Sequence, residues 1–484
     1  MPWPTGASQP GAADGAAVGR AGGGRRAGGP ALTDAAYLVG GAVRDALLGK
    51  EPTDLDWLVH DPAHSARSFA ALSGGAVFEL DAERRHWRVV GPGGKVHDFV
   101  PLRDGAGSVE ADLRLRDLTV NAMALTSRGA LIDPTGGERD LRRKLVRMTS
   151  VACLRADPIR PLRVVRFAAT LAFDVEGETR AAVMARFEEQ SRGAAPLPAW
   201  ERVGAELSAM LGSPHAARGF ALLKSLGGLA VYLPELEAGR GVQQGGFHHL
   251  DVLDHQLEAL NQLLHGFPDA GPALRFAALL HDLGKPASAS TAPGDAGAFD
   301  GAEAHAGDGT SAGAPVGAPT FYGHDKLGAE MTTDLLRRLR LPSELVVTAA
   351  SLVRYHMLPL PHGERAVRRF IHRRRELLPD LLKLMLADRE AARGRLATEE
   401  ARARYRLAVS AVLAALDATP EPRALLTGDD VMALLRLAPG PRVGEALAVL
   451  GEAQALGDVL GREDAELALL RYAAAQGWTR ERGS

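Results

Sequence analysis

Short apolar runs alternate with amphipathic segments in the first third of the chain. Apolar runs at 37–39, 55–59, 87–90 and 96–100 are typical of strands, and the segments between them have the spacing of helices. From residue 156 onward the pattern becomes almost entirely helical, with apolar side chains three and four positions apart. The chain is therefore predicted to be α+β, with a mixed sheet near its start and an all-helical remainder.

Three segments fall outside these patterns. Residues 1–32 are mostly glycine and alanine, and residues 288–320 combine glycine, alanine, serine, threonine and proline with scattered acids. Neither composition buries enough apolar surface to offset the entropy of folding, so a disordered tail and a disordered insert are predicted. A shorter proline-containing linker is predicted at 417–423.

Composition narrows the function classes only in part. The 484 residues are 46% apolar with a net charge of −2, so a global basic signature is absent, although a local basic stripe is sufficient for RNA. The single cysteine, Cys153, excludes a disulfide framework and is typical of a cytoplasmic protein. Apolar runs stay shorter than the ~20 residues of a membrane span, so no membrane partner is expected.

The first candidate site begins where a strand runs into two glycines and then a helix. Gly40 and Gly41 would let a phosphate approach the backbone, the helix start offers free N–H groups, and Arg44 lies one turn into the helix. Two glycines before a helix also form an ordinary strand-to-helix turn, and both interpretations stay open on these residues alone.

Two aspartates on the next predicted strand form the second part of this site. Asp54 and Asp56 are two positions apart, so both carboxylates point to the same face of the strand. Like charges side by side need a cation between them, and Mg²⁺ shared with substrate phosphates is the usual solution. A solvated turn that carries two acids is the alternative.

Together these residues resemble the polymerase-β-like nucleotidyltransferases and, more narrowly, the bacterial CCA-adding enzyme and poly(A) polymerase family, the class II tRNA nucleotidyltransferases. The shared pattern is a strand, Gly-Gly-x-Val-Arg-Asp at 40–45 and Asp-x-Asp at 54–56. Three further motifs follow in the family's order: Arg-Asp-Leu-Thr-Val-Asn-Ala at 116–122, Asp-Pro-x-Gly-Gly at 133–137, and Asp-Pro-Ile-Arg-Pro-Leu-Arg at 157–163.

The resemblance implies a nucleotidyltransferase head at 33–150 in which Asp54 and Asp56 are catalytic and hold Mg²⁺. Asp98, on an apolar strand, is the candidate for a third catalytic acid, and it is equally well explained as part of a sheet-surface pair with His97. The implied nucleotide-binding residues are Gly40, Gly41, Arg44, Asp45, Arg116, Asp117, Asn121, Asp157, Arg160, Arg163 and Arg166.

Base selection is expected from the last motif. Asp157 and Arg160 are three positions apart, hence on one helical face, and in the family such a pair selects C and A by imitating a template. A solvated basic face is the alternative for this motif's arginines. Leu115 and Ala156 replace an arginine and a glutamate that the family usually has. The segment 100–112 is also shorter than the family's loop implicated in the switch to the final A, which keeps CC-adding and A-adding specialists open.

The helical remainder holds a second constellation of ligand-type side chains. Their order, His…His-Asp…His…His…Asp, resembles the HD superfamily of metal-dependent phosphohydrolases and predicts a metal domain at 247–395. Imidazole and carboxylate ligands together suit Mn, Ni, Co, Fe or Zn, whereas a degenerate site that only stabilises the fold is the alternative. His249 has no matching position in that order. The predicted ligands are His255, His281, Asp282, His324, His356 and Asp388.

The remaining segments are predicted to be RNA-binding helices. A neck is expected at 151–240 and a C-terminal region at 396–484, whose residues 437–444 resemble the tail of CCA-adding enzymes with an HD domain. Basic runs at 142–147 and 365–375 are candidates for contacts to the phosphates of an A-form acceptor arm, and a solvated helix face explains each equally well.

The sequence thus predicts a tRNA nucleotidyltransferase that adds C, A or both to the tRNA 3′ end, with an HD-type phosphohydrolase domain. The expected partners are tRNA, ATP and CTP, and DNA is not among them. A poly(A) polymerase of the same family, an HD phosphohydrolase with an inactive head, and a tRNA-binding chaperone are the alternatives.

Overall fold

The computed structural model describes residues 36–291, 319–420 and 423–478. The chain divides into two compact units, the first comprising residues 36–237 with 335–341 and the second 238–334 with 342 onward. The predicted disordered tail lies outside the described residues. Within the described part of the chain, no helix is long and apolar enough to cross a membrane.

The strands and helices follow the predicted division into a mixed α/β start and a helical remainder. The strands are β1 Tyr37–Val39, β2 Asp54–Leu58, β3 Ala76–Asp81, β4 His86–Val90, β5 Val96–Val100, β6 Ala124–Leu125, β7 Leu131–Ile132, β8 Leu145–Val146, β9 Asp174–Val175, β10 Ser290–Thr291 and β11 Pro319–Thr320. The helices before residue 238 are α1 Gly41–Leu47, α2 Pro62–Ser73, α3 Val109–Arg114, α4 Gly137–Arg142, α5 Val151–Ala156, α6 Arg160–Leu171, α7 Gly177–Ser191, α8 Trp200–Leu211, α9 Ala216–Ser225, α10 Gly228–Tyr232 and α11 Pro234–Glu237. The later helices are α12 Val252–Gly266, α13 Pro272–Leu280, α14 Lys285–Ser288, α15 His324–Arg338, α16 Ser343–Tyr355, α17 Glu364–Arg374, α18 Asp380–Ala391, α19 Glu399–Ala418, α20 Gly428–Leu435, α21 Pro441–Leu456 and α22 Arg462–Ala475. Short 3-10 turns cover Pro92–Gly94, Thr119–Asn121 and Arg375–Leu377.

The sheet of the first unit has the strand order β3-β4-β5-β2-β1-β6-β7. Only β2 and β5 among these neighbours run parallel, which confirms the mixed sheet. Because side chains alternate along a strand, the two β2 aspartates lie on the same face as Leu58, which packs with Leu113 of α3. The other face packs Phe69 of α2 against Phe99. The aspartates therefore stand at the end of a buried face.

The second unit is a packed set of helices with its own apolar clusters. Helices α13 and α18 contact each other and each also contacts α12 and α16, and a further cluster joins α20, α21 and α22. The prediction of disorder for 288–320 is wrong at its two ends, where β10 pairs antiparallel with β11. Composition alone cannot show that two polar segment ends pair with each other. Residues 292–318 lie outside the described part.

Candidate active site and metal cluster

Three aspartates share one face of the sheet at β2 and β5. Asp56 is opposite Asp98 in the parallel register and follows Asp54 by two positions. Burial raises the pKa of the Asp56 carboxyl, and the charge of Asp98 raises it further, against the opposing charge of Arg116. A carboxylate in such a surplus of negative charge is stabilised by a divalent cation, so Asp54 and Asp56 fit Mg²⁺.

Asp98 is less available than the other two aspartates. Its carboxylate oxygens accept hydrogen bonds of 2.7 and 2.8 Å from Arg88, and Nε2 of His86 lies 3.4 Å away. Arg88 therefore competes with any cation for both oxygens of this buried residue. The geometry favours a supporting role in which Asp98 acts on Asp56 through its charge.

Gly40 brings the backbone close to this acidic face. Its φ of +73° lies in the left-handed region, and a Cβ there would stand 3.0 Å from Nη1 of Arg116 and 3.7 Å from Oδ2 of Asp56. Helix α1 has only seven residues and no side-chain cap, so the expected help of its dipole is small. The close approach permitted by the glycine is the stronger feature of this turn.

Arg44 is fixed in place by two polar side chains. It donates from Nε and Nη2 to Asp45, both at 2.9 Å, and from Nη1 to Oδ1 of Asn121 at 2.7 Å. The structure thus brings together four of the predicted nucleotide-binding residues, since Gly41 lies beside the same guanidinium.

Arg116 is oriented by the buried carboxylate of Asp112, which is not among the predicted site residues. Asp112 is fully buried and accepts from the Arg103 N–H at 2.9 Å and from Nη1 of Arg103 at 2.6 Å. Nε of Arg116 donates to the same carboxylate at 3.3 Å. Two guanidinium groups on one carboxylate leave a unit of positive charge facing Asp56, which suits a bound polyphosphate.

Asp117 and two predicted arginines form a further ion-pair network. Nε of Arg163 donates to Asp117 at 2.7 Å, and Arg163 and Arg166 both donate to Glu206. Burial alone would raise the pKa of the Asp117 carboxyl, but Arg163 and a hydrogen bond from the Leu118 amide hold it below its ordinary value. Arg163 and Arg166 are therefore bound within the protein rather than free for a ligand.

The prediction that Asp157 and Arg160 share one helical face is wrong. Helix α5 ends at Ala156, Asp157 is extended with φ −137° and ψ 123°, and α6 begins at Arg160. The cause is Pro158, because a residue that precedes proline is disfavoured in the α region. Asp157 instead accepts from both terminal nitrogens of Arg202, at 3.0 and 2.7 Å.

Asp157, Arg160 and Arg202 nevertheless line one cavity, which has a volume of about 280 Å³. Arg160 reaches it while its Nη1 donates to the carbonyl of Cys153 at 2.6 Å. Sequence reasoning missed Arg103 and Arg202, which come from segments outside the recognised motifs, and Phe167, which directly follows the predicted Arg166. The lining consists of Gly40, Gly41, Arg44, Asp56, Arg103, Arg116, Asp117, Asn121, Asp157, Arg160, Arg163, Phe167 and Arg202.

The second unit gathers all six predicted HD ligands. They form two groups of three whose ligand atoms lie within 4.8 Å of one another: His255, His281 and Asp388, and Asp282, His324 and His356. Asp282 lies between the groups, with its oxygens 3.3 Å from Nε2 of His281 and 3.4 Å from Nε2 of His324. From this position Asp282 would be able to hold an ion together with histidines of either group.

Three histidines of this cluster have one ring nitrogen assigned by the backbone. Nδ1 of His281, His324 and His356 donates to the carbonyl three residues earlier, at 2.9, 2.7 and 2.6 Å. Their Nε2 atoms are buried without a hydrogen-bond partner in the described part of the chain. Nε2 of each ring thus faces the cluster and offers a lone pair once it is deprotonated, so these residues fit a transition metal that displaces the proton.

The carboxylates and histidines of the cluster shift one another's pKa values. Burial alone would raise the pKa of the Asp282 and Asp388 carboxyls, but the neighbouring histidines hold both well below the ordinary value, in Asp282 with help from Lys285. Burial alone would lower the pKa of His281, but these two carboxylates raise it to about 10. Both acids therefore stay ionised and available as ligands.

Two neighbours of the cluster were missed by sequence reasoning. Lys285 donates from Nζ to Gln244 at 2.6 Å and lies 2.7 Å from Oδ2 of Asp282. The ring of His248 packs edge-on against His255 with 4.4 Å between centroids, whereas His249 is exposed. The spacing of Lys285 from Asp282, one helical turn, was the signal that could have identified it.

The paired aspartates beside a glycine turn and converging arginines define a nucleotidyltransferase head, and the histidine–aspartate cluster defines an HD-type domain. Residues 36–147 match the family described as Poly A polymerase head domain, and residues 252–393 match the HD domain. The chain is 51% identical over 445 residues to the A-adding tRNA nucleotidyltransferase of Deinococcus radiodurans, covering 92% of this chain and 97% of that protein. It is 44% identical over 440 residues to the CC-adding tRNA nucleotidyltransferase of Thermus thermophilus, covering 90% and 93%. The chain belongs to the tRNA nucleotidyltransferase family.

Solved structures agree with this fold. The Bacillus stearothermophilus CCA-adding enzyme in complex with CTP matches with a TM-score of 0.60 at 23% identity, covering 91% of this chain and 94% of that chain. The Thermotoga maritima CCA-adding enzyme complexed with tRNA matches with a TM-score of 0.53 at 18% identity, covering 90% and 91%. The predicted α+β architecture with a helical remainder is confirmed.

Proposed function

We propose that the head transfers a nucleotide from ATP or CTP to the 3′-hydroxyl of tRNA. The cavity in which Asp56, the Gly40 turn and several arginines meet carries this proposal. Asp54 and Asp56 would hold Mg²⁺, which would neutralise phosphate charge while the RNA hydroxyl attacks and pyrophosphate leaves. Arg44 and Arg116 are held at the wall of the cavity, where they orient the triphosphate.

Selection of the base falls to the other end of the cavity. The Asp157 carboxylate would accept from the amino group that cytosine and adenine share, and Arg160 would donate to the adjacent ring nitrogen. Arg202 holds the carboxylate in position, and Asp117, bound by Arg163, would contact the sugar and phosphates of the nucleotide. Asp45 and Asn121 fix Arg44 and thereby support the same pocket.

Addition of the terminal A is the product that we favour, because the chain shares more residues with the A-adding relative, 51%, than with the CC-adding one, 44%. Addition of CC is the second candidate. The short connection between β5 and α3, nine positions apart at Val100 and Val109, fits a specialist of either kind and so keeps CC addition open.

Two tRNA substrates separate these products. One ends at the nucleotide before CCA and the other ends in CC, and each is incubated with ATP, CTP or both and resolved on a denaturing gel. An A-adding enzyme extends only the CC-ended tRNA, by one A, whereas a CC-adding enzyme extends only the shorter one. Open-ended A addition would indicate a poly(A) polymerase, and no extension in any reaction would refute the proposal. The Asp56→Ala variant controls for a contaminating activity.

For the HD domain we infer a site for a divalent transition metal. The buried Nε2 atoms and the two ionised carboxylates form a donor set that suits Mn, Ni, Co, Fe or Zn. An ion bound there would polarise a phosphoester, which makes a phosphomonoester or phosphodiester at an RNA end the expected substrate. Two readouts test this inference: release of inorganic phosphate from a phosphomonoester, and conversion of a phosphodiester to a phosphomonoester with a new hydroxyl group. The active one should be lost together with the metal in His281→Ala.

A further inference from the structure

A second and larger cavity lies among the C-terminal helices of the second unit. Its volume is about 830 Å³, within the range of cavities that hold ligands of nucleotide size. It is formed by the end of α16, the 3-10 turn after α17, the start of α20 and one face of α21. Residues of the head cavity and of the metal cluster do not take part in its lining.

The charge of this cavity follows from the basic run at 365–375, which contains six arginines. Four of them pair with three carboxylates of the same unit. Arg365 pairs with Asp458, Arg368 with Glu364, and both Arg369 and Arg373 with Glu452. Most of the run is therefore not the free phosphate-binding stripe that its sequence suggests.

The other two arginines are uncompensated, and both line the cavity. In the part of the chain that the structure describes, Arg374 and Arg375 have no carboxylate within 4.0 Å. Arg375 donates from Nη2 to the Thr419 carbonyl at 2.7 Å, and Arg374 from Nη1 to the carbonyl of its preceding residue at 3.1 Å. The Arg374 guanidinium lies 3.9 Å over the ring of Tyr355, and its Nε is buried without a hydrogen-bond partner.

This combination favours an anionic ligand with an apolar part. Each of these partly exposed guanidinium groups has five N–H donors, of which the two carbonyl contacts use one terminal nitrogen each, and a phosphate group supplies several acceptor oxygens in a geometry that matches the guanidinium fork. Leu426, Leu447 and Leu450 form an apolar wall of the same cavity. Leu426 and Leu450 are only 2% exposed, so the partly exposed Leu447 and the ring of Tyr355 offer the apolar surface to a ligand. The exposed Glu376, the carboxylate of the lining, follows the two arginines and leaves the local charge positive.

We propose that this cavity is a second binding site for a nucleoside phosphate, separate from the head, with Arg374 and Arg375 on the phosphate and the leucine wall beside the base. The inference concerns a site beyond the proposed transfer reaction. Among the residues that the structure describes, these two arginines alone in the run lack a carboxylate partner.

Photolabelling of the full chain with 8-azido-ATP, followed by peptide mapping, tests the proposal. Label is expected in peptides that span the cavity as well as in peptides of the head. Arg374→Gln combined with Arg375→Gln should weaken the cavity label by about 10-fold or more per arginine, since hydrogen bonds to charged groups contribute about 1.5–3 kcal/mol each. The head label should be unchanged, and Arg374→Lys with Arg375→Lys should retain part of the cavity label.

Arg365→Gln is the matched control. It removes one arginine of the same helix, but that side chain is paired with Asp458 and does not line the cavity, so both labels should persist. In the wild-type protein, unlabelled AMP and ATP should each reduce the labelling of the cavity. This measurement needs no variant.

Three results would overturn the inference. One is head label without cavity label, which leaves the proposed transfer function intact. The second is cavity label that intact tRNA displaces but AMP and ATP do not, which would assign the surface to RNA. The third is cavity label that survives in the glutamine pair. Cavity label without any head label would instead support this site and contradict the proposed function of the head.

Discussion

Replacing Arg202 with glutamine is expected to change which nucleotides are added more than it changes stability. Both terminal nitrogens of Arg202 donate to Asp157, and the Ile159 N–H donates to the same carboxylate at 3.2 Å. The Arg202 side chain is 51% exposed, so solvent screens the ion pair. The free energy of unfolding should therefore fall by only about 0–1 kcal/mol.

The effect on base selection is larger because Asp157 loses the group that holds it toward the cavity. Cytosine and adenine offer an amino donor to this carboxylate, whereas uracil and guanine offer a carbonyl. Leaving such a buried contact unpaired costs about 1–3 kcal/mol, or about 5- to 150-fold in discrimination. The Arg202→Gln variant should therefore no longer discriminate against UTP and GTP by this factor, while it still adds the correct nucleotide.

The same substitution should move the pH dependence of selection. Burial alone would raise the pKa of Asp157, but hydrogen bonds from Arg202 and from the Ile159 amide, with the charge of Arg202, lower it. Because its pKa is lowered, the Asp157 carboxylate is ionised at every pH above its ordinary pKa. It becomes protonated only as the pH falls through the lowered pKa. Without Arg202 this protonation should occur at a higher pH than in the wild type.

Single-nucleotide incorporation with each of the four triphosphates, measured as kcat/KM at neutral and mildly acidic pH, decides this. Arg218→Gln is the matched control, because Arg218 is 47% exposed and pairs with Asp174 at 2.6 Å outside the cavity lining. Unchanged discrimination in a folded Arg202→Gln protein would refute the role of Arg202. A loss of equal size in Arg218→Gln would show that the effect is not specific to the base-selecting end.

Three other substitutions address the catalytic and metal sites. Asp56→Asn should abolish nucleotide addition without lowering the melting temperature, because burial and Asp98 already disfavour the Asp56 charge; residual addition above the contaminant level would contradict this. Asp112→Asn should lower the free energy of unfolding by about 3–5 kcal/mol in denaturant titration, since the buried Arg116 loses its countercharge; a change under about 1 kcal/mol would argue against the ion pair. His281→Ala should remove transition metal in elemental analysis while nucleotide addition continues, and metal-free wild-type protein would sink the HD assignment.

The apolar pattern predicted most of the head because its strands are buried on at least one side. The predicted strands at 37–39, 87–90 and 96–100 correspond closely to β1, β4 and β5. The pattern missed β3, Ala76–Asp81, which is an edge strand with mostly exposed side chains. An edge strand that packs little apolar surface leaves no clear alternation to detect.

Polar contacts between distant segments were beyond sequence reasoning for a different reason. The motif at 157–163 was found, but its partner Arg202 lies 45 positions after Asp157 on another helix. Nothing local distinguishes that arginine from the many solvated ones in this chain. The extended conformation of Asp157, in contrast, was predictable, because Pro158 follows it directly.

The HD ligands were found by order rather than by spacing, and their positions on the helices explain why order is sufficient. His281 and His356 directly follow α13 and α16, where the last-turn carbonyls lack intrahelical partners. Each Nδ1–H satisfies one such carbonyl and thereby turns Nε2 toward the cluster. Between Asp282 and His324 the chain leaves the cluster, and β10 pairs with β11 before it returns. The other ligands sit differently, since His324 begins α15 while His255 and Asp388 lie within α12 and α18. The order of the ligands therefore follows the order of these helices along the chain, whereas the lengths of the connections between the helices leave the ligand separations free.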